Sequence, residues 1–219
     1  MLLYYITDRH GFGNLDTLQR TALLRRIADA ARAGVDYIQL REKDLPAREL
    51  ESLAREVVRA VRDNSNATKV LINSRSDMAL AVGADGVHLP AGELAASDVR
   101  RLWMRCCETR PLIGVSVHAP ADIHSAEEQG ADFAVLAPIF EKVQAGIPGI
   151  GVETLRVACA GSQADGDKKV HGHFPILALG GVTVSNAESC IDAGAGGVAG
   201  IRLFQQGNVF ETVRQLREL

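Results

Sequence analysis

Polar side chains lie where several predicted strands end, and their types are suited to binding a small charged ligand or moving a proton on it. In the stretch QLREK, Gln39, Arg41 and Lys43 alternate and therefore share one side of an extended chain. Guanidinium and ammonium groups bind carboxylates and phosphates. Other predicted strands also end in polar side chains, at Asn73, His88, Ser116 and His118.

Each of these features also has an ordinary structural explanation. The QLREK stretch alone is equally consistent with a solvated strand exit, in which Glu42 or Asp44 pairs with the cations. A single histidine such as His88 or His118 is more often a hydrogen-bonded structural residue than a catalyst. The occurrence of such residues at one strand end after another favours a site over these separate explanations.

Glycines end the last two predicted strands, in the segment PILALGGVTVSNAESCIDAGAGGVAG. Glycine destabilises ordered segments, so its presence here suggests that bare backbone is needed at these ends. Barrels of alternating strands and helices often bind phosphate with the loops after strands seven and eight. The sequence therefore predicts phosphate contacts from Gly180, Gly181, Gly200, Ile201 and Arg202.

Short apolar runs alternate with longer amphipathic ones along the whole chain, which predicts βα units and a parallel sheet. The strand-like runs are Leu2–Thr7, Tyr37–Arg41, Val70–Asn73, Gly86–Leu89, Leu112–Val117, Phe133–Ile139, Ile176–Gly180 and Gly197–Leu203. The helix-like stretches are Leu15–Ala33, Pro46–Asp63, Ser76–Val82, Ala96–Cys107, Pro120–Gln129, Val152–Ala160, Val184–Ala193 and Val209–Leu219.

About eight strands and eight helices predict an α/β fold of the (βα)8 TIM-barrel type. A doubly wound open sheet is the alternative. The barrel is favoured because AG or GA turns recur before the strands and no Pro/Gly/Ser linker divides the chain. We therefore expect one domain over residues 1–219, with the polar stretch Ser162–Phe174 as a surface loop before the seventh strand.

Composition limits the function classes. The 219 residues are 47% hydrophobic and 23% charged, with a net charge of −3, which argues against a nucleic-acid surface driven by bulk charge. No apolar run reaches membrane-spanning length, and the start resembles no signal peptide. Four cysteines without metal-ligand spacing are typical of reduced thiols. We expect a cytoplasmic protein, and the oligomeric state stays open, compatible with a homo-oligomer.

Several motifs together resemble one family. They are YYITD, QLREK, LINSRSDMALAVGADGVHLP, GVSVHAPAD, FAVLAPIF and ALGGV…N…AGAGGVAG, which run in order from the first predicted strand to the eighth. They are similar to thiamine phosphate synthase and to its relative TenI, the thiazole tautomerase. The resemblance implies a small phosphorylated heterocycle as substrate. The synthase joins a pyrimidine pyrophosphate to a thiazole phosphate with Mg²⁺, whereas the tautomerase moves a proton within a thiazole carboxylate phosphate without a metal.

This sequence departs from the synthase pattern at its metal and pyrophosphate positions. Ser74 stands where the resemblance implies a magnesium-binding aspartate, and Glu93 falls near the second such position. Ala145 stands where a pyrophosphate-binding lysine belongs, and Lys142 is offset from it. A serine and one glutamate are a poor Mg²⁺ site, since that ion prefers carboxylate and phosphate oxygens.

The same departures bring the chain closer to the tautomerase. His118 matches the histidine that the resemblance implies as acid and base, and imidazole suits a proton shift near neutral pH. Arg202 replaces a small serine of both patterns. We expect His118 as the proton carrier, no metal or other cofactor, and substrate contacts from Gln39, Arg41, Lys43, Asn73 and Ser116. An active synthase, with Mg²⁺, and a non-catalytic phosphate-binding regulatory protein remain as alternatives.

Overall fold

A computed structural model describes residues 1–13, 16–141, 146–161 and 174–219. Lys142, Ala145 and nearly all of the predicted loop Ser162–Phe174 lie outside these residues. Phe174 itself is described and is buried.

The described strands form a closed parallel barrel, which confirms the predicted TIM-barrel architecture. Each strand pairs with its neighbours in chain order, and β1 pairs with β8 to close the barrel. The strands are β1 (Leu2–Ile6), β2 (Tyr37–Leu40), β3 (Lys69–Asn73), β4 (Gly86–Leu89), β5 (Leu112–Val117), β6 (Phe133–Leu136), β7 (Ile176–Ala178) and β8 (Gly197–Gly200).

Helices follow the strands and cover the outside of the barrel. They are α1 (Asp16–Ala33), α2 (Ala47–Arg62), α3 (Ser76–Val82), α4 (Ala96–Cys106), α5 (Ala121–Glu128), α6 (Val152–Gly161), α7 (Val184–Asp192), α8 (Arg202–Gln205) and α9 (Val209–Arg217). A short 3₁₀ turn at Arg9–Phe12 follows β1. Within the described residues, none of these helices combines the length and the apolar character that a membrane span requires.

The prediction of a strand over Gly197–Leu203 was wrong at its end. β8 stops at Gly200, and α8 begins at Arg202, where the carbonyl oxygen of Ile201 accepts the backbone N–H groups of Phe204 and Gln205 at 3.2 and 3.0 Å. The fully buried Phe204 belongs to this extra turn. A short apolar run fits a buried strand or a buried helical turn equally well, which explains the error.

The predicted strands Phe133–Ile139 and Ile176–Gly180 are likewise shorter in the structure. β6 ends at Leu136, just before the Ala137–Pro138 segment, because proline has no N–H to continue a sheet ladder. The backbone of the two loops stays paired beyond the strands: the N–H groups of Ile139 and Phe140 donate to Leu179 O and Gly180 O at 2.8 and 2.9 Å. The loops after β6 and β7 are thus held against each other.

Aromatic rings fill the inside of the barrel. Tyr4, Tyr37 and Phe133 lie within this inner cluster, with Leu71 and Leu177 beside them. The Phe133 ring centroid is 5.2 Å from that of Tyr37 in a stacked arrangement and 5.4 Å from that of Tyr4, edge to face. Both arrangements are favourable for aromatic pairs. A larger apolar layer separates the strands from the helices.

The repeated AG/GA turns have a physical role at the N-terminal end of the barrel. In three of them an aspartate directly precedes a strand and accepts a backbone N–H from the start of the strand before it. The pairs are Asp36 with Leu3, Asp85 with Val70 and Asp132 with Ile113, at 2.7, 2.9 and 2.7 Å. Each carboxylate also pairs with a cation, Arg217, Lys69 or Arg100. The fourth copy, before β8, has Gly196 at this place.

Candidate active site

A cavity of about 1120 Å³ opens at the C-terminal ends of the strands, where barrel enzymes carry their sites. All eleven site residues that the sequence predicts line it: Gln39, Arg41, Lys43, Asn73, Ser116, His118, Gly180, Gly181, Gly200, Ile201 and Arg202. The structure therefore brings them together from five strand ends, those of β2, β3, β5, β7 and β8. Their individual roles stay predictions.

A buried carboxylate anchors the loop that carries Arg41 and Lys43. Glu42 lies between them and, with the two-residue period of an extended chain, turns the opposite way. Its carboxylate accepts the Thr7 hydroxyl at 2.6 Å and the backbone N–H of Arg9 at 3.1 and 3.2 Å. The backbone N–H of Arg41 in turn donates to the Thr7 oxygen at 3.0 Å. These bonds fix the backbone from which Arg41 and Lys43 reach the cavity.

The charges beneath this loop are paired. Burial raises the pKa of Glu42, against the lowering effect of its bonds to Thr7 and Arg9. The guanidinium of Arg9 also binds both oxygens of Asp44, at 2.6 and 2.5 Å, and these bonds lower the pKa of Asp44 well below its usual value. Glu42 and Asp44 pair with Arg9, and within the described residues neither pairs with Arg41 or Lys43, as the alternative structural explanation of this stretch would require.

Two amides lie side by side on neighbouring strands. The amide nitrogen of Gln39, at the end of β2, donates to the side-chain oxygen of Asn73, at the end of β3, over 2.9 Å. Gln39 is buried and Asn73 half-buried. The bond fixes which end of each amide is a donor, so the amide nitrogen of Asn73 keeps its donor capacity for a ligand.

The glycines after β7 are required by conformation and by close packing. Gly180 and Gly181 have φ of +98° and +65°, which side chains of L-residues rarely adopt. A Cβ on Gly180 would lie 2.7 Å from Pro138 Cα, and one on Gly181 would lie 2.7 Å from Phe140 Cβ. Glycine is thus required here partly because the neighbouring loop packs too closely for a side chain, and not only to give a phosphate access to the backbone.

A side chain of the next helix holds this glycine loop in place. Asn186 donates from its amide nitrogen to Gly181 O at 3.0 Å and accepts the backbone N–H of Thr183 at 2.8 Å. Thr183 and the first residue of α7 line the cavity as well. Backbone N–H groups at a helix start favour anions, so a phosphate fits at this edge of the cavity.

His118 has one ring nitrogen fixed by the protein. Its Nδ1 lies 3.1 Å from Ala137 O. A carbonyl oxygen can only accept, so Nδ1 carries a hydrogen, and in the neutral ring the lone pair lies on Nε2. Asp122 accepts the backbone N–H groups of His118 and Ala119 at 3.4 and 3.0 Å, which holds the turn before α5. The imidazole at the cavity wall is therefore oriented as a proton acceptor.

His88 also lines the cavity but differs from His118 in its burial. It is buried between Tyr4 and Ser116, and burial, with a smaller effect of Arg41, lowers its pKa to about 3. A group that stays neutral at physiological pH is a poor general acid, so the structural explanation holds for this histidine.

Sequence reasoning missed two residues at the site. Glu141 lines the cavity after β6, and Asn186 braces the glycine loop. The spacing GGV…N in the sequence was a usable signal for Asn186, and the position of Glu141 directly after the FAVLAPIF motif was one for Glu141. Among the described lining residues, three cations (Arg41, Lys43 and Arg202) face one carboxylate, Glu141, so the cavity favours an anionic ligand.

A family model described as thiamine monophosphate synthase matches residues 3–204. The chain belongs to the thiamine monophosphate synthase family. It is therefore an enzyme of thiamine biosynthesis.

Relatives agree with this family over nearly the whole chain. A putative thiamine-phosphate synthase of Geobacter sulfurreducens is 41% identical, with 90% of this chain and 83% of the relative covered. A thiamine-phosphate synthase of Methanoculleus marisnigri is 38% identical, with 99% and 93% covered. The solved thiamine phosphate pyrophosphorylase of Pyrococcus furiosus superposes with a TM-score of 0.76 at 26% identity, covering 99% of this chain and 94% of that one.

The magnesium ion that the synthase pattern implies finds a poor set of donors here. The Ser74 hydroxyl donates to the Glu93 carboxylate, so the structure brings the two predicted positions together as one hydroxyl and one carboxylate. In the described part of the chain, no group of three His, Cys, Asp or Glu side chains is placed to hold a metal. Mg²⁺ favours several oxygen ligands with carboxylates among them, so these residues do not fit the synthase site. The expectation of a metal-free reaction stays a prediction.

Proposed function

We propose that the cavity binds a thiazole phosphate bearing a carboxylate, and that His118 moves a proton within this ligand without a metal ion. The observation that carries the proposal is the oriented imidazole: Nδ1 is held by Ala137 O at 3.1 Å, and Nε2 keeps its lone pair at a cavity lined by cations. The phosphate would lie at the glycine loops and Arg202, and the carboxylate at Arg41 and Lys43.

The proton shift balances within the ligand. In the first half a ring C–H bond of the ligand breaks, and an N–H bond forms at Nε2 of His118. In the second half that N–H bond breaks, and the proton goes to the outer carbon of an exocyclic C=C bond conjugated with the ring, whose electron pair moves into the ring and makes it aromatic. The cations bind the phosphate and the carboxylate of the ligand and keep its orientation constant, so that one imidazole reaches both the carbon that loses the proton and the carbon that gains it.

The coupling of a pyrimidine pyrophosphate to a thiazole phosphate is the second candidate. The relatives described above carry names for this reaction, and these names support it better than the proton shift. The residues of this chain point the other way, because Ser74 and Glu93 replace the paired carboxylates that hold Mg²⁺ in that pattern. A single experiment with two assays separates the candidates.

The purified protein is given the unaromatised thiazole carboxylate phosphate with a chelator, and the ring is followed by NMR. We expect aromatisation faster than in buffer, a loss of about 10²- to 10⁴-fold in His118→Asn, and no change in the control His124→Asn. The control histidine is exposed on α5 and pairs with Glu128 at 3.2 Å. The second assay supplies Mg²⁺, the pyrimidine pyrophosphate and the thiazole phosphate.

Buffer-level aromatisation would refute the proton shift. Magnesium-dependent coupling would then establish the second candidate. If neither reaction occurs and His118→Asn binds the ligand as the wild type does, the protein is a phosphate-binding relative without catalysis.

A further inference from the structure

Three side chains form a hydrogen-bonded chain from the centre of the barrel to the cavity. The Tyr4 hydroxyl, on β1, lies 3.1 Å from Nδ1 of His88, on β4. Nε2 of the same ring lies 2.9 Å from the hydroxyl oxygen of Ser116, on β5. Tyr4 and His88 are buried, whereas Ser116 is half-buried and lines the cavity.

The direction of these bonds follows from what Tyr4 can do. Among the residues that the structure describes, its hydroxyl has no hydrogen-bond partner other than His88. A proton on Nδ1 of His88 would leave the buried phenol hydrogen without an acceptor, which is unfavourable. Tyr4 therefore donates to Nδ1, and the ring proton lies on Nε2.

The direction of the second hydrogen bond, between His88 and Ser116, is then also fixed. A hydrogen on Nε2 of His88 donates to Ser116, whose oxygen accepts it, so the hydroxyl hydrogen of Ser116 is left for the cavity. Burial keeps the imidazole neutral, as its lowered pKa of about 3 indicates, so a second ring proton does not disturb the order.

We propose that Tyr4 and His88 are positioning residues that hold the Ser116 hydroxyl as a hydrogen-bond donor towards the ligand. The cavity then selects a ligand with an acceptor at this place, such as a carboxylate oxygen or an unprotonated ring nitrogen, and disfavours one with an N–H or O–H donor there. The inference rests on the proposed function only in placing a thiazole ligand in this cavity.

The tautomer of His88 is tested directly in the ligand-free, full-length protein. Two-bond ¹H–¹⁵N NMR on histidine-labelled protein gives the protonated nitrogen of each ring, and the signals of His88 are assigned as those lost in His88→Gln. We expect the hydrogen on Nε2 in the wild type. In Tyr4→Phe, which keeps the ring but removes the donor, we expect a mixture of the two tautomers. A hydrogen on Nδ1 in the wild type would overturn the proposal.

Ligand binding gives a second readout with a matched control. We expect the Kd of the thiazole carboxylate phosphate to rise about 10-fold in Ser116→Ala and about 3-fold in Tyr4→Phe. Tyr5→Phe is the control, because Tyr5 is equally buried on the adjacent position of β1 and its hydroxyl has no hydrogen-bond partner among the described residues. Equal effects of Tyr4→Phe and Tyr5→Phe would overturn the proposal. The NMR result stands even if the proton-shift assay fails, so the two failures are distinguishable.

Discussion

At the scale of single residues, the two histidines at the strand ends have opposite properties, which their burial determines. His118 is exposed and, among the described residues, bonded at one ring nitrogen, whereas His88 is buried and bonded at both. Imidazole chemistry depends on whether the ring can gain and lose a proton, so the exposed ring is the one suited to proton transfer.

The buried His88 predicts a specific pH dependence of stability. Its pKa is about 3 in the folded protein, against an ordinary value of about 6.5, so between these values the unfolded chain binds a proton that the folded one does not. The free energy of unfolding should therefore fall as the pH drops below 6.5, by at most about 1.4 kcal/mol per pH unit from this group. Urea unfolding from pH 7 to pH 4 should show a shallower pH dependence in His88→Gln, and parallel curves would contradict the prediction.

The sequence predicts the members of the site better than their arrangement. Gln39 and Asn73 could be chosen because each ends a strand, and ends of parallel strands meet at one edge. The bond of Tyr4 to His88 joins residues 84 positions apart, and no local pattern encodes such a contact. Glu141 was not predicted as a site residue, because it lies in a loop, where no strand or helix period indicates which way a side chain points.

At the scale of elements, the loops after β6 and β7 act as one unit. Backbone bonds from Ile139 and Phe140 join them, and the close approach of Gly180 to Pro138 leaves no space for a side chain. The predicted strands extend further than the observed ones because the loop residues that follow are also apolar and also form backbone hydrogen bonds, although these bonds are not part of the β-sheet. An apolar run indicates burial, and the buried segment continues from the strands into these loops.

Gly180→Ala tests this close packing against Gly130→Ala. Both glycines have positive φ, +98° and +81°, so both substitutions introduce backbone strain of about 1 kcal/mol. Only at Gly180 would the new methyl group meet backbone, at 2.7 Å from Pro138 Cα, whereas nothing lies within 4 Å at Gly130. We expect Gly180→Ala to lower the free energy of unfolding by at least about 1 kcal/mol more than Gly130→Ala. Equal losses in chemical denaturation would show that the two loops separate readily.

At the scale of the whole molecule, the charged residues at the two ends of the barrel have different roles. The C-terminal end gathers Arg41, Lys43 and Arg202 around the cavity. At the N-terminal end the aspartates that precede β2, β4 and β6 join neighbouring strands and pair with cations. Charged side chains at one end thus line the cavity, while charged side chains at the other stabilise the closed sheet.

Two arginine-to-alanine variants, Arg217→Ala and Arg41→Ala, test whether charge at one end of the barrel serves stability and charge at the other serves ligand binding. Arg217, on α9, donates to Met1 O, to Gly34 O at 2.8 Å and to Asp36 at 2.7 Å, and so ties the last helix to the first strand. Its loss should lower the free energy of unfolding by about 1–2 kcal/mol and leave the Kd of the phosphorylated ligand unchanged.

Arg41→Ala should do the reverse, because its backbone, and not its guanidinium, makes the bond to Thr7. We expect a rise in Kd of about 10-fold or more, with stability unchanged within about 0.5 kcal/mol. Since the two sites lie at opposite ends of the barrel, the double variant should show the sum of the two stability effects and the binding defect of Arg41→Ala alone. Titration and urea unfolding of the three variants check this, and a binding defect in Arg217→Ala would mean that the two ends of the barrel are coupled.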